Sequence, residues 1–208
     1  MSKLHFETFN EARKSVFRTL AEFKDVGILA GGTAISLQLG HRYSYDFDVF
    51  TSKPIAENLL VRVMEAFGRN IQKLVDSPDE LSFLTPKKVK ISFVHFPFPD
   101  LHRPIKTKAI PLFNLRDLAS NKAYVIGRRG EYRDYVDLFF LLKEGLSLKK
   151  IINEAKKRFK GAFSERLFLE QLVYFKDLKD FRIDFLRKKY EPKQIYEFFQ
   201  REIKRRSI

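Results

Sequence analysis

Two aspartates stand one residue apart in the segment YDFDVF, and their spacing suggests a site for a divalent cation. Residues two apart on a strand project to the same face, so the carboxylates of Asp46 and Asp48 would lie side by side. Like charges placed in this way cost free energy unless a positive charge lies between them. The pair predicts binding of Mg²⁺ or Mn²⁺, although an isolated Asp-x-Asp also fits one solvent-exposed carboxylate beside one that caps a loop.

A pair of glycines, Gly31 and Gly32, precedes the aspartates in the segment LAGGTAISLQLG. The apolar run before the pair predicts a strand, and TAISLQLG predicts a short helix with Thr33 as a possible cap and Gly40 as its end. Glycines at such a junction let the backbone approach an anion, and the N–H groups at a helix N-terminus can bind phosphate. Two glycines often serve only as a turn. The aspartates that follow one short helix later strengthen the interpretation of the glycine pair as part of a phosphate-binding site.

A second polar motif lies in NKAYVIGRRGEYRDYVDLFFLL, residues 121–142. Asp134 and Asp137 are three residues apart, so a helix places them on one side. Asp137 lies in an apolar run and must be paired or have a shifted pKa. Its candidate partners are Lys122, Arg128, Arg129 and Arg133. Two interpretations stay open and are compatible: a buried ion pair that fixes the helix, or a Lys122 that contacts phosphates and is oriented by the acidic helix.

The hydrophobic pattern divides the chain into an α+β half and a helical half. Strands are predicted in VGIL, YDFDVFT, IQKLVDS, ELSFLT and KVKISFVHF, with a further short strand in AIPLFN. Helices are predicted within residues 5–25, over 33–40 and over 52–70, the last with Ser52 as its cap and Gly68 at its end. Five more are predicted near residues 115–126, 130–144, 148–160, 163–178 and 192–206. We expect an α+β domain with a mixed sheet over residues 1–110 and a helical bundle over residues 111–208.

The composition indicates a globular, strongly basic protein. The chain has 208 residues, 44% of them hydrophobic, no cysteine and a net charge of +14. The absence of cysteine excludes disulfides, thiolate metal sites and a cysteine nucleophile. Without a secretory signal or a long apolar run, we expect a cytoplasmic protein with no membrane partner. The basic surplus favours a polyanionic partner such as nucleic acid or nucleotide, since a merely solvated charged surface would be balanced.

The order of these motifs resembles the DNA polymerase beta-like nucleotidyltransferase superfamily, in which a glycine pair is followed by Asp-x-Asp on the next strand. The string LAGGTAISLQLGHRYSYDFDVF, followed by NKAYVIGRRGEYRDYVDLFFLL, looks more narrowly like the AbiEii/AbiGii toxin family. These are the nucleotidyltransferase-like toxins of toxin–antitoxin and phage-resistance systems. The resemblance extends over roughly residues 26–145.

The resemblance implies Mg²⁺-dependent (or Mn²⁺-dependent) transfer of an NMP from an NTP to an acceptor hydroxyl, with an antitoxin as a partner. Together with the basic charge, it points to RNA, and in particular tRNA, as the acceptor. The resemblance assigns metal binding to Asp46 and Asp48. The catalytic residues would be Asp46, Asp48, Lys122 and Asp137. The nucleotide-binding residues would be Gly31, Gly32, Thr33, Arg42, Ser44, Lys122 and Asp134. His41, in the turn before Asp46, is a further candidate for contact with the triphosphate.

One position departs from the superfamily pattern. Its members usually carry a third carboxylate on a later strand, where it acts as a base on the incoming hydroxyl, and the register of KVKISFVHF places Ser92 there. Serine is neither an ionised metal ligand nor a base near neutral pH. Asp76 or Asp100 is a weak substitute, or two carboxylates suffice. The alternatives are a non-catalytic nucleotide- or RNA-binding protein that keeps the fold, and an enzyme with a protein acceptor.

Overall fold

A five-stranded mixed sheet forms the centre of the N-terminal half in the computed structural model, which describes residues 4–128 and 131–206. Its strands are β1 (Ile28–Leu29), β2 (Phe47–Thr51), β3 (Gln72–Asp76), β4 (Glu80–Leu84) and β5 (Lys90–His95). They lie in the order β1-β2-β5-β4-β3. The pair β2 and β5 is parallel, and the other neighbouring pairs are antiparallel. The mixed sheet with flanking helices confirms the predicted α+β class.

The alternation along β2 separates a core face from an open face. Phe47 and Val49 are fully buried, whereas Asp48 and Phe50 are partly exposed. On the core face, Phe47 packs against Phe9 with 5.3 Å between ring centroids. Period-two alternation therefore presents the acidic positions of β2 on the side of the sheet away from this packing.

Three α-helices belong to the N-terminal half: α1 (Glu11–Thr19), α2 (Gly31–Leu39) and α3 (Leu59–Phe67). Short 3₁₀ turns at Phe6–Thr8 and Leu20–Phe23 flank α1. Helix α3 ends at Gly68 as predicted, but Asn58 and not Ser52 is its N-cap. The residue before a proline avoids the helical region, so Pro54 delays the start of the helix.

Helix α2 also differs from the prediction at its start. Its N-cap is Ala30, so Thr33 lies inside the first turn and is not a cap. The Thr33 hydroxyl instead contacts the carbonyl oxygen of Asp46 and lies 3.0 Å from Ser44 Oγ. Gly40 ends the helix as predicted, with a left-handed φ of 60°. Thr33 therefore ties α2 to the segment that leads into β2.

Helices make up most of the second half, as predicted. They are α4 (Leu115–Ile126), α5 (Tyr132–Lys143), α6 (Leu148–Phe159), α7 (Glu165–Leu172) and α8 (Pro192–Arg206). The predicted start of the second helix at residue 130 lies outside the described residues. Helix α7 stops earlier than predicted, since the β-branched and aromatic residues from Val173 on are weaker helix formers. AIPLFN is not a strand, because Leu112 forms only isolated bridges with Leu29 and Ile105.

One hydrophobic core extends through both halves of the chain. Helix α2 contacts β2 as well as α4 and α5, and so lies between the sheet and the helical half. The division at residues 110 and 111 stays a prediction. None of the helices within residues 4–128 and 131–206 has the length and apolar character needed to cross a lipid bilayer.

Candidate functional site

The turn between β1 and α2 places Gly31 against the carboxylate of Asp48. Gly31 has a φ of +64°, and a Cβ atom at this position would overlap Asp48 Oδ2. The N–H of Ala30, next in the turn, donates to the Asp48 carbonyl oxygen at 2.7 Å. Only glycine combines this left-handed backbone with so close an approach, so the start of α2 and the acidic strand meet here.

Gly32 is restricted in a similar way by the segment between α2 and β2. A Cβ atom on Gly32 would overlap the guanidinium of Arg42 and lie 3.1 Å from Ser44 Oγ. Both glycines thus serve close packing at the helix start as well as the turn. The first N–H groups of a helix have no intrahelical acceptor and form a natural anion site.

Asp46 and Asp48 form an acidic pair at the floor of the open face of the sheet. Neither carboxylate has a hydrogen-bond or ion-pair partner in the part of the chain that the structure describes. Burial raises the pKa of Asp48, and the neighbouring charge of Asp46 raises it further, against the opposing effects of Lys122 and Lys90. A cation between the two carboxylates would remove this repulsion, so the residues fit a divalent metal ion.

The acidic pair lacks a third ligand of the usual types. Among residues 4–128 and 131–206, no cluster of three or more His, Cys, Asp or Glu side chains is arranged to hold a metal ion. Ser92, predicted to stand in the place of a third carboxylate, lies directly opposite Asp48 in the parallel pairing of β2 and β5. Its hydroxyl lies 2.7 Å from that of Ser82, which in turn contacts the carboxylate of Glu80. The remaining coordination positions of a metal would fall to substrate phosphates and water.

A cleft of 380 Å³ opens above the acidic pair, between the open face of the sheet and helix α4. Its polar part contains the acidic pair, the glycine turn and several cations. Its polar lining residues are Gly31, Gly32, Arg42, Ser44, Asp46, Asp48, Lys90, Asn121, Lys122, Arg133 and Asp134. The apolar lining residues are Phe50, Val94, Leu118 and Val125. Cations, carboxylates and an apolar wall together suit a nucleotide.

A buried ion cluster supports the cleft from behind. Asp137 is fully buried and accepts hydrogen bonds from Arg42 Nε at 2.6 Å and Nη2 at 2.8 Å. His41 Nε2 lies 2.8 Å from Asp137, and Lys122 Nζ lies 2.7 Å from it. Burial alone would raise the pKa of Asp137, but the charges of Arg42 and Lys122 outweigh it and hold that pKa well below the ordinary range.

Lys122 connects this cluster to the cleft. It is 7% exposed, and its Nζ lies 2.6 Å from Asp134 Oδ1 in addition to its contact with Asp137. Burial opposes the charge on Lys122, but Asp134 and Asp137 outweigh it and raise the pKa of the amine. The ammonium group is therefore held charged and in a fixed position at the edge of the cleft.

The structure separates the predicted site residues into two groups. Eight of them line the cleft: Gly31, Gly32, Arg42, Ser44, Asp46, Asp48, Lys122 and Asp134. Thr33 and Asp137 do not line it but lie fully buried and hold Ser44 and Arg42 in place. Their assigned roles in binding and catalysis stay predictions. The buried ion pair is present, and Lys122 also lines the cleft, so its contact with phosphates stays a prediction.

Several subsidiary expectations change. His41 is 1% exposed and bonded to Asp137, so it does not face a triphosphate. Of the candidate partners for Asp137, Arg128 packs over the Tyr124 ring, Arg133 pairs with Glu131, and Arg129 lies outside the described residues.

The two suggested substitutes for a third carboxylate do not reach the cleft. Asp76 pairs with Lys73 on the edge strand β3, and Asp100 is exposed in a loop. Neither residue lines the cleft.

Sequence reasoning missed the apolar wall of the cleft and Asn121. Phe50 and Val94 alternate with the acidic and serine positions of their strands, so the period-two pattern contained a signal for them. Leu118 and Val125 precede and follow Lys122 on α4 at near-helical spacing. Asn121 had no comparable signal, because its environment depends on Arg158 of α6.

A larger cavity of 660 Å³ lies elsewhere on the molecule. Its walls are mainly apolar and include Leu4, Phe17 and Ile105, with four cations at the margin. Among the described residues no carboxylate lines this cavity, so they offer no acidic ligand for a metal ion there. The smaller cleft over the acidic pair is therefore the site where chemistry is expected.

Comparison with known proteins identifies solved structures that share the fold and one relative in sequence. Solved structures with the same fold include MenT4, a nucleotidyltransferase toxin from Mycobacterium tuberculosis H37Rv, at a TM-score of 0.60 and 13% identity over 92% of this chain and 80% of that one. JHP933 from Helicobacter pylori gives a TM-score of 0.52 at 17% identity, over 98% of both chains. An uncharacterized protein from Aquifex aeolicus (strain VF5) is 35% identical over 182 residues, or 85% of each chain.

The family comparison covers nearly the whole chain. Residues 16–205 match the model described as nucleotidyl transferase AbiEii toxin, type IV toxin–antitoxin system. This range contains the glycine turn, the acidic pair, Lys122 and Asp137, and therefore the complete cleft with its supporting ion cluster. The chain belongs to the AbiEii nucleotidyltransferase toxin family.

Proposed function

We propose that this protein is a metal-dependent nucleotidyltransferase that moves an NMP from an NTP to a hydroxyl group of RNA, with tRNA as the leading acceptor. The observation that carries the proposal is a pair of carboxylates, Asp46 and Asp48, that have no partner within the described part of the chain and line the same cleft as Lys122 and the glycine turn. Two carboxylates, a helix N-terminus and a fixed ammonium group are the parts that phosphoryl chemistry requires.

Each of these groups has a distinct task. A divalent cation, Mg²⁺ or Mn²⁺, held by Asp46 and Asp48 would neutralise phosphate charge and polarise the reacting phosphate. The backbone N–H groups at Gly31 and Gly32 would bind phosphate oxygens at the start of α2. Lys122 would offset the charge that develops on the leaving pyrophosphate. Ser44, at the cleft surface beside Gly32, would hydrogen-bond a phosphate oxygen.

The buried cluster explains how Lys122 acts without reorganisation. Asp134 and Asp137 hold its ammonium group before substrate arrives, and Arg42 fixes Asp137. A charge that is already oriented stabilises a transition state more effectively than one that must reorder during the reaction. Asp137 would therefore contribute by positioning Lys122 and Arg42 beside the nucleotide.

The net charge of the chain and its family support the proposed acceptor and the proposed partner protein. The net charge of +14 favours a polyanionic acceptor, and the segment from Lys143 to the end carries 19 basic against 10 acidic residues. Membership of a toxin–antitoxin family supports a cognate antitoxin as a partner and a cytoplasmic site of action. Transfer to a protein acceptor is a second outcome that the same assay can reveal.

The test is transfer of label from α-labelled NTPs to total tRNA in the presence of Mg²⁺ or Mn²⁺. We expect transfer by the wild type and a loss of about 100-fold or more in Asp46→Ala and in Asp48→Ala. Asp76→Ala is the matched control, since Asp76 is exposed on β3 and lies outside the cleft. A parallel reaction with cell lysate tests for a protein acceptor.

A non-catalytic nucleotide- or RNA-binding protein is the second candidate, and Ser92 is the observation that favours it. Because Ser92 occupies the position opposite Asp48, the site has no evident base for the incoming hydroxyl. This candidate predicts NTP or tRNA binding without label transfer under any metal condition. Equal binding by the wild type and both aspartate variants, with no transfer, would rule out the enzyme.

A further inference from the structure

The solvent-facing side of helix α6 carries only lysines and one asparagine. Within residues 148–160 the exposed positions are Lys149, Lys150, Asn153, Lys156, Lys157 and Lys160. The intervening positions, among them Leu148, Ile151 and Ala155, are buried in the core. At 3.6 residues per turn the exposed positions fall within about 120° of the helix circumference. These exposed residues form a continuous surface, named here the lysine face.

Most of the lysine face has no negative partner. Glu154, the one acidic residue of α6, is half-buried at the margin and pairs with Arg116. Lys156 pairs with Glu165. Each of the other four lysines of the face is without an ion pair to any residue in the described ranges. A polyanion would therefore bind here with little competition from carboxylates of the protein itself.

Two of these lysines stand where a helix disfavours cations. Lys149 and Lys150 belong to the first turn of α6, which contains no acidic residue. The N-terminus of a helix carries a partial positive charge, so it favours carboxylates and disfavours ammonium groups. Ser147 caps the helix by accepting from the N–H of Lys150, so the lysine side chains are not needed for the cap. Their placement lowers the stability of α6, and a bound anion would offset this cost.

Lys160, at the end of the lysine face, has a strained backbone. Its φ of 49° and ψ of −131° lie in the left-handed half of conformational space, which favours glycine. Glycine is the next residue, at position 161, where an added Cβ atom would meet nothing within 4 Å. Strain of this kind in a non-glycine residue points to a functional constraint on its side chain. Because the side chain of Lys160 is exposed, that constraint is contact with an external anion.

The composition of the lysine face fits a phosphate backbone better than a protein. Protein–protein interfaces depend on aromatic and apolar anchors and are depleted in lysine, whereas this face has no apolar member. Lysines contact phosphates as flexible point charges and do not read bases. From Lys149 to Lys157 the face extends about 12 Å along the helix axis. A nucleic acid presents several phosphates over such a length.

The lysine face lies outside the nucleotide cleft but is held in a fixed position beside it. The buried side of α6 packs against α4, the helix that forms one wall of the cleft. Arg158, on that buried side, donates to Asn121 Oδ1 at 2.8 Å and to the carbonyl oxygen of Asp117 at 2.9 Å. At least the width of α6, about 10 Å, therefore separates the face from the cleft. A folded RNA can contact both, whereas a mononucleotide at the glycine turn cannot.

We infer that the lysine face of α6 binds the phosphate backbone of the RNA acceptor, at a distance from the end that receives the nucleotide. This inference rests on the proposed RNA acceptor. The cleft would hold the reacting hydroxyl, and the lysine face would hold the body of the RNA. Because contacts with phosphates carry no sequence information, the face would raise the affinity for all tRNAs alike.

The test measures binding of labelled total tRNA to the full chain by fluorescence anisotropy, without NTP or metal, between about 50 and 200 mM salt. The test variant combines Lys149→Gln, Lys150→Gln and Lys157→Gln, which remove charge but keep good helix formers. We expect its tRNA affinity to fall about tenfold or more, and the slope of log affinity against log salt to decrease by about 2–3. The control combines Lys24→Gln, Lys53→Gln and Lys87→Gln, all exposed in the N-terminal half, and should change the affinity by less than about twofold.

Lys160→Gly separates RNA binding from stability. Glycine relieves the strained backbone, so the melting temperature should rise while the tRNA affinity falls by about twofold or more. Lys88→Gly is the matched control, since Lys88 also has a left-handed φ, of 59°, but lies before β5 and outside the lysine face. Lys88→Gly should raise the melting temperature and leave the tRNA affinity unchanged.

Three results would overturn the inference. Equal affinity and salt slope in the wild type and the test variant would show that RNA binds elsewhere. An equal loss in the N-terminal control would show that only total charge matters. Polyglutamate that binds the wild type as tightly as tRNA would make the face a site for acidic proteins. Failure of the proposed function is distinct, because a wild type that binds tRNA through the lysine face but transfers no label would refute only the enzyme.

Discussion

Arg42 and Asp137, 95 residues apart in the chain, form an ion pair with two hydrogen bonds at the back of the cleft. Arg42 Nε lies 2.6 Å from Oδ1 and Nη2 lies 2.8 Å from Oδ2 of the same carboxylate. Lys122 and His41 contact that carboxylate as well. One buried charge therefore holds the segment before β2, helix α4 and helix α5 together.

Asp137→Asn should destabilise the protein strongly. Removing one partner leaves the charges of Arg42 and Lys122 buried with less compensation, at a cost of about 3–5 kcal/mol. Urea unfolding at pH 7 measures this free energy. Asp180→Asn, which removes an exposed partner of Arg182, is the control and should leave the unfolding midpoint unchanged.

The effect of Asp137→Asn should also depend on pH. The pKa of Asp137 is lower in the folded than in the unfolded chain, so its stabilisation is complete above the ordinary value near 3.8. The stabilisation is lost as the pH falls from that value towards the folded pKa, by up to about 1.4 kcal/mol per pH unit. The difference between wild type and variant should shrink below pH 4. A difference that stays constant down to pH 2 would contradict this account.

The buried imidazole of His41 should give the free energy of unfolding a second, milder dependence on pH. Burial lowers the pKa of His41 more than its hydrogen bond with Asp137 raises it. The unfolded chain therefore binds a proton more readily than the folded chain once the pH falls below the ordinary value of 6.5. The free energy of unfolding should decline as the pH falls through this region, and His41→Gln should flatten the decline. The same slope in wild type and variant would show that His41 is not responsible.

Gly31→Ala should damage both the fold and the cleft. A left-handed backbone costs a non-glycine residue about 1–2 kcal/mol, and the new Cβ atom would also displace the Asp48 carboxylate. Gly161→Ala is the matched control, because a Cβ there meets no atom within 4 Å and the backbone is not left-handed. We expect a lower melting temperature and lost label transfer only in Gly31→Ala. Full activity in Gly31→Ala would show that the turn does not position Asp48.

Asp48→Asn should separate stability from metal binding. Burial and the neighbouring charge of Asp46 raise the pKa of Asp48, so its ionised form is disfavoured. Replacing it with a neutral amide should therefore raise the melting temperature in metal-free buffer. Mn²⁺ should raise the melting temperature of the wild type but not that of Asp48→Asn. An equal shift by Mn²⁺ in both proteins would place the metal elsewhere.

Much of the fold was predictable because its signals are local. Strands β2, β4 and β5 follow period-two alternation, which predicts strands. Helices α4, α5, α6 and α8 follow helical periodicity, which predicts helices. The glycine and aspartate motifs are also local, since strand, turn, helix and strand bring them together within about twenty residues. The cleft-lining positions of Gly31, Gly32, Asp46 and Asp48 follow from that connection.

The remaining features depend on long-range contacts that no short window contains. The sequence shows that Asp137 needs a cation but not which one, and Arg42 is far from it in the chain. The environment of Asn121 depends on its hydrogen bond with Arg158, which belongs to another helix. The start of α3 was misjudged because Ser52 is a good cap type, whereas Pro54 prevents the helix from beginning there.

The bond between Arg42 and Asp137 has a consequence for synthesis of the protein. The acidic strand and the glycine turn leave the ribosome early, but the carboxylate that holds Arg42 and Lys122 follows Arg42 by 95 residues. At ordinary rates of translation this interval lasts roughly 5–20 s. During that time the nascent chain carries Asp46 and Asp48 without the carboxylate of Asp137, which positions Arg42 and Lys122. The cleft is therefore complete only after α5 has been made and docked.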